Sequence, residues 1–168
     1  MPATYRAVEP DFLASAPHRV TVSAVVPAAP ERVFAALAED PADWGHWFPG
    51  FSTAGRYLTP PPHGVGAQRE MVVRGSRFLE TVIAWEPGAR WAFRVDEARL
   101  PAVRALAEQF VLVAAPTPTG QPGTRVTYTM AQETRPAFVG ALLVRLARGQ
   151  LTGALRRLAD HLSGAGAG

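Results

Sequence analysis

Two hydrophobic periodicities divide the chain. Between His18 and Thr134, apolar and polar residues alternate in short runs broken by proline and glycine; from Pro136 to about Ser163 they recur with helical spacing. On that last helix Arg145, Arg148, Thr152 and Arg156 fall on one narrow stripe at 100° per residue. Most of the remaining circumference is apolar, carried by Phe138, Leu142, Leu143, Leu146, Ala147, Leu151, Leu155, Leu158 and Leu162. A surface helix needs an apolar stripe of only about 100°, and this one has roughly twice that. The pattern predicts a helix gripped on more than one side, or one lining a cavity with part of its circumference. The plainer alternative is a terminal helix buried against a sheet. Gly149 and Gly153 each cost about 1 kcal/mol against alanine in mid-helix, which predicts a bend or a close backbone approach there.

The earlier runs are read as strands and two short helices. His18–Val26 alternates and is rich in β-branched residues, so it is a strand. Pro30 in a first turn and Glu31 behind it open a helix whose apolar face is Val33, Phe34 and Leu37. Asp40-Pro41 ends that helix, and Asp40 can cap a second one through Trp44 and Trp47, which stops at Pro49-Gly50. A meander follows: strands at 51–59, 67–74, 77–85, 89–97, 108–115 and 124–134, with Gly75-Ser76 and Glu86-Pro87-Gly88 as turns. The segment 99–105 has no clear period, and a short helix is one reading of it. Sequential strands with short turns predict an antiparallel sheet, and the architecture is α+β.

Composition narrows the functional classes. The chain has 168 residues, enough for one domain with a substantial core, and is 48% hydrophobic and 18% charged. No apolar run reaches the length of a membrane span, and residues 1–16 lack the apolar core of a signal peptide, so they are read as a loosely ordered arm. The domain is expected at 17–163, with a flexible tail at 164–168. Cysteine is absent, which fits the expected cytoplasmic location and leaves no thiolate chemistry. All 17 basic residues are arginine, the mark of a GC-rich genome, and they are scattered among 14 acids. Nucleic acid is therefore not an expected partner, since it would require clustering on one face.

The stretch PAAPERVFAALAEDPADWGHWFPG resembles the first helices of the SRPBCC, or Bet v 1/START-like, superfamily, where a Pro-x-x-Val-Phe helix precedes Asp-Pro and a Trp-containing turn. TVIAWEPGARWAFRV is similar to the strand–Pro-Gly–strand hairpin of the same family. Element order extends the resemblance over residues 17–163, most closely to its polyketide cyclase/dehydrase branch. It implies a helix-grip fold: a curved antiparallel sheet wrapped around a long C-terminal helix, two short helices after the first strand, and an apolar cavity between sheet and helix. One such fold hosts carriers, cyclases and other activities, so function has to come from the site.

Strand alternation then nominates the cavity wall. With Gln68, Glu70 and Arg74 outward, Arg69, Met71 and Val73 point inward. With Glu80 and Glu86 outward, Leu79, Thr81, Ile83 and Trp85 point inward; Trp91, Phe93 and Val95 follow in the next strand, and Val126, Tyr128, Met130 and Gln132 in the last. Leu143, Ala147 and Gln150 would face them from the helix. The expected ligand contacts are thus Arg69, Met71, Val73, Thr81, Ile83, Trp85, Trp91, Phe93, Tyr128, Met130, Gln132, Leu143, Ala147 and Gln150. This is the composition of a small-molecule pocket, apolar with scattered polar groups. Trp44 and Trp47 are read as a plug at one end of the sheet.

Catalytic signatures are sparse. His18, His46, His63 and His161 have no metal-ligand spacing, and no metal or cofactor is expected. Gly64-Val65-Gly66 precedes a strand and lacks a third glycine, so it is not a dinucleotide loop. Arg69 and Tyr128 could polarise a bound carbonyl, and His46 between two tryptophans could act as a base. The leading expectation is binding or transport of a hydrophobic small molecule, such as a lipid, polyketide or isoprenoid. A cofactor-independent cyclase, aromatase or dehydratase in the same cavity is the first alternative. A protein- or membrane-interaction module using the Arg145/Arg148/Arg156 stripe is the second. Either a monomer or a homodimer is compatible with the sequence.

Overall fold

The structure, a computed structural model, describes residues 3–164. Of the tail expected at 164–168, everything from residue 165 on lies outside the described residues. Strands β1 (Ala3–Thr4), β2 (His18–Val26), β3 (Arg56–Tyr57), β4 (Gln68–Val73), β5 (Ser76–Glu86), β6 (Arg90–Ala98), β7 (Val103–Pro116) and β8 (Pro122–Thr134) form one antiparallel sheet. Its order is β2-β8-β7-β6-β5-β4-β3, and β1 pairs with the end of β6. Helix α1 (Phe12–Ser15) precedes β2, while α2 (Pro30–Ala38), a 3₁₀ turn (Pro41–Asp43) and α3 (Trp44–Trp47) separate β2 from β3. Helix α4 (Ala137–Gly164) closes the chain. The fold is α+β and of the helix-grip type.

Local chemistry places these elements. Pro30 starts α2, which buries Val33, Phe34 and Leu37 against the sheet. The Asp40 carboxylate accepts a hydrogen bond from the Ala42 N–H at 2.9 Å, capping the 3₁₀ turn that leads into α3. Arg74 and Gly75, with φ of 48° and 74°, form the two-residue turn of the β4–β5 hairpin. That turn lies one residue before the expected Gly75-Ser76.

Three expectations change. The strand expected at 51–59 contracts to Arg56–Tyr57 plus an isolated bridge from Phe51 to Val73, because a turn at Thr53–Ala54, with the Ala54 N–H donating to the Ser52 hydroxyl, interrupts it and the prolines at 60–62 end it. Segment 99–105 is a turn running into β7, with no helix. The arm before β2 is packed: Ala3 and Thr4 pair with Ala98 and Glu97, and Phe12 and Leu13 of α1 join Val8, Ile83, Ala92 and Ala107 in a second core on the outer face of the sheet.

The apolar circumference of α4 is divided along its length. Its C-terminal half buries Leu151, Ala154, Leu155, Leu158 and Leu162 against the sheet and α3. In its N-terminal half Phe138, Leu142 and Leu146 remain 75%, 56% and 65% exposed, so among the described residues no second element grips that side. Among the described residues nothing approaches within 4 Å of a β-carbon placed on Gly149 or Gly153, so they show no close backbone approach there.

Candidate functional site

The face of β5 decides what the interior contains. The two-residue turn at Arg74 and Gly75 places Arg69 directly opposite Glu80, and cross-strand partners share a face. Phe78, Glu80 and Val82 therefore point toward α4, the reverse of the expected phase. A bulge at Ile83, between the pairs Val82–Phe93 and Ala84–Ala92, then restores the phase, so Trp85 faces inward beside Trp91. Thr81 and Ile83, expected as ligand contacts, lie on the outer face. The Thr81 hydroxyl donates to Asp96 at 2.5 Å, and Ile83 packs in the second core.

Between the sheet and α4 lies a cavity of about 190 Å³. Its apolar wall includes Phe48, Phe51, Val73, Phe93, Met130 and Ala147, and its polar groups are Glu80, Glu108, Tyr128 and Gln150. The volume falls below the several hundred Å³ usual for a small-molecule pocket. An aromatic plug occupies the rest. Trp44 stacks with Phe48 at 5.6 Å and meets Trp47 at 4.8 Å, Trp91 at 6.0 Å and Phe110 at 5.9 Å, while Tyr128 stacks on Phe110 at 4.1 Å. The Trp44 indole N–H donates to the Leu37 carbonyl at 2.9 Å, tying the plug to α2.

Arg69 is part of this plug. Its guanidinium carbon lies 4.4 Å from the ring centre of Trp91, 4.6 Å from Phe93 and 4.8 Å from Trp44. Nε donates to Glu80 Oε2 at 2.6 Å, and the side chain is 0% exposed. Its two terminal nitrogens find no acceptor among the described residues, so the ring faces take that place. A cation held this way is neutralised by Glu80 and does not line the cavity. Burial pushes the Glu80 carboxyl up from its ordinary value, and Arg69 opposes the rise.

Glu108 is the second inward carboxylate. It sits on β7 opposite Met130, and its Oε2 accepts a short hydrogen bond from the Tyr128 hydroxyl. Desolvation raises it from 4.5 to about 7; the Tyr128 hydrogen bond opposes this, and the nearby Glu80 charge reinforces it. Tyr128 is held well above its ordinary value by burial and by Glu108, so it remains a neutral donor. The folded state thus binds a proton at Glu108 more tightly than the unfolded chain. Stability should fall as pH rises from about 4.5 to about 7 and level off above, and Glu80 adds to the same slope. Glu108→Gln keeps a carbonyl acceptor for Tyr128 and should flatten the profile. Near pH 8 it should be about 2–3 kcal/mol more stable than the parent in urea titrations, and no gain there would refute the assignment.

Of the other expected contacts, Val73, Phe93, Tyr128, Met130, Ala147 and Gln150 do border the cavity. Met71 and Trp91 are wholly buried in the packed core with Arg69. Trp85 packs edge-on to Phe34 of α2 at 5.3 Å, and Leu143 packs against the core. Gln132 spends its amide on the Gly140 carbonyl at 3.4 Å. His46 is exposed on α3 and stacks on His161, 6.1 Å between ring centres, so it cannot serve the cavity as a base. Glu80 escaped sequence reading because charge assigned it outward, and Glu108 because the strand at 108–115 was given no phase. The hairpin rule could have found Glu80: with Arg69 inward, a turn at Arg74-Gly75 forces its partner inward. The loop before β8 hid the register that sets Glu108 against Met130. Among the described residues no cluster of three metal-ligating side chains occurs, and no helix is long and apolar enough to cross a membrane.

A curved antiparallel sheet, two short helices after its edge strand and a long C-terminal helix over a small apolar cavity define a protein of the START/Bet v 1 class. The chain belongs to the family described as polyketide cyclase / dehydrase and lipid transport, whose model matches residues 17–163. Among its relatives are the uncharacterized proteins Rv2574 of Mycobacterium tuberculosis and Mb2604 of Mycobacterium bovis, each 36% identical over 155 residues that cover 89% of this chain and 89% of the relative. Solved structures with the same fold include a START superfamily protein from Mycobacterium smegmatis, with a TM-score of 0.71 and 17% identity over 88% of this chain and 99% of that one. The structure of Ara h 8.0201 superposes with a TM-score of 0.68 at 14% identity, covering 88% and 98%. At these identities the structural neighbours speak for the fold alone.

Proposed function

We propose that the protein binds a small hydrophobic molecule between the sheet and α4. The supporting observation is the cavity itself: a void of about 190 Å³ bordered by apolar side chains on both layers, with carboxylates at a few points of its wall. A core built only for stability is packed without such a void. Because Ala147 borders the void from α4, Ala147→Phe should fill it with little loss of stability. Native mass spectrometry of the freshly purified protein should show an adduct of a few hundred daltons, absent from the denatured mass and strongly reduced in Ala147→Phe. An adduct that persists undiminished in that variant would place the ligand elsewhere.

A second reading is favoured by one group. Glu108, raised to about 7 and hydrogen-bonded by Tyr128, can exchange a proton with a bound carbonyl compound, as a cyclase or dehydratase requires. Arg69, committed to Glu80, and His46, outside the cavity, have no part in it. Turnover on a polyketide-like substrate, lost in Glu108→Gln with binding retained, would convert the binding reading into the enzymatic one.

A further inference from the structure

We propose that the cavity is built for a hydrophobic molecule carrying a single cationic amine, whose ammonium group pairs with the free oxygen of Glu108. This rests on the cavity being the ligand site and names the chemistry it selects. Glu108 uses only Oε2 for Tyr128; Oε1 accepts no hydrogen bond among the described residues and is not an enclosed atom, so it opens on the void. The nearest cation cannot serve it, because Arg69 is closed off beneath three aromatic rings and bonded to Glu80. With Glu108 ionised, the buried set of Arg69, Glu80 and Glu108 carries one uncompensated negative charge. A bound ammonium completes the balance, and the apolar wall takes the hydrocarbon.

The same arrangement rejects the opposite sign. A ligand carboxylate would bring a third like charge beside Glu80 and Glu108 with no accessible cation to meet it. The groups facing Glu108 are Tyr128 on β8, Glu80 on β5 and Arg69 on β4; α4 contributes only the neutral Gln150, and β6 contributes Phe93 and Val95. None of these supplies a free positive charge. The raised titration of Glu108 agrees, since desolvation outweighs the lowering by the Tyr128 hydrogen bond and by the more distant Arg69 charge.

Isothermal titration with octylamine, 1-octanol and octanoate separates the possibilities, because the three differ only in the head group. The full-length protein should bind octylamine roughly tenfold or more tightly than octanol and octanoate least of all. In Glu108→Gln the octylamine affinity should drop to the level of octanol measured on the same variant, whose cooperative urea unfolding shows that it is folded. An independent reading uses the unmutated protein: with Glu108 at about 7, octylamine affinity should rise about tenfold from pH 6 to pH 8, and octanol affinity should not rise. Octanol or octanoate binding as tightly as octylamine, or an amine preference that survives Glu108→Gln, overturns the amine assignment and leaves the cavity reading standing. Failure of all three to bind overturns both. Should the variant not fold, the pH profile of the parent decides.

Discussion

Replacing Arg69 by methionine is expected to lower stability by about 3–5 kcal/mol, the loss found when one partner of a buried ion pair is removed. Methionine keeps most of the packing volume, so the loss isolates the charge. Glu80, 3% exposed and bonded to Arg69 at 2.6 Å, is left without its counter-charge, and three aromatic rings lose the cation they flank. Glu80 must then either bury a naked carboxylate or take up a proton, so the loss should deepen as pH rises. The double variant Arg69→Met/Glu80→Gln removes both charges and should recover at least half of the stability in urea titrations. A loss below about 1 kcal/mol for the single variant would mean that the rings alone hold this layer. Arg69→Lys should not rescue it, because a compact ammonium cannot fill the slot between the indoles or stack on them as a planar guanidinium does.

Trp44→Ala is expected to cost about 4–5 kcal/mol, at the upper end for removing a buried aromatic. Trp44 is wholly buried and lies within 6.3 Å of the ring centres of Trp47, Phe48, Phe51, Trp91, Phe93 and Phe110. Its removal leaves the Leu37 carbonyl without a donor and takes one face from Arg69, so a polar loss adds to the cavity. With a total stability of about 5–15 kcal/mol for a domain, such a change brings the protein close to unfolding. Trp44→Phe keeps a ring and should cost about 2 kcal/mol less than alanine. Equilibrium denaturation of both variants checks the ranking, and equal losses would show that the hydrogen bond to Leu37 dominates over ring packing.

These two residues also mark where sequence reading succeeded and where it stopped. Trp44 was legible as a plug because Pro41 and the Asp40 cap fix a short helix by local chemistry, and a tryptophan on its apolar face has to be buried. Arg69 was legible as inward from the alternation of β4. Its role was not, because that role depends on Glu80, which a charge-based phase sends to solvent. A charge is costly to bury alone, so the reading holds until a partner across the sheet offsets the cost.

From β2 onward the element order, the starts of α2 and α3, and the inward sets of β4, β6 and β8 follow from spacing and capping within a few residues, so the chain carries them locally. The bulge at Ile83, the pairing of Arg69 with Glu80, the meeting of Glu108 with Tyr128 and the exposed flank of α4 come only from tertiary packing. Each joins groups distant along the chain or depends on whether another element covers a surface. A one-residue change in register turns a strand over, and with it the charge and volume of everything the cavity can hold.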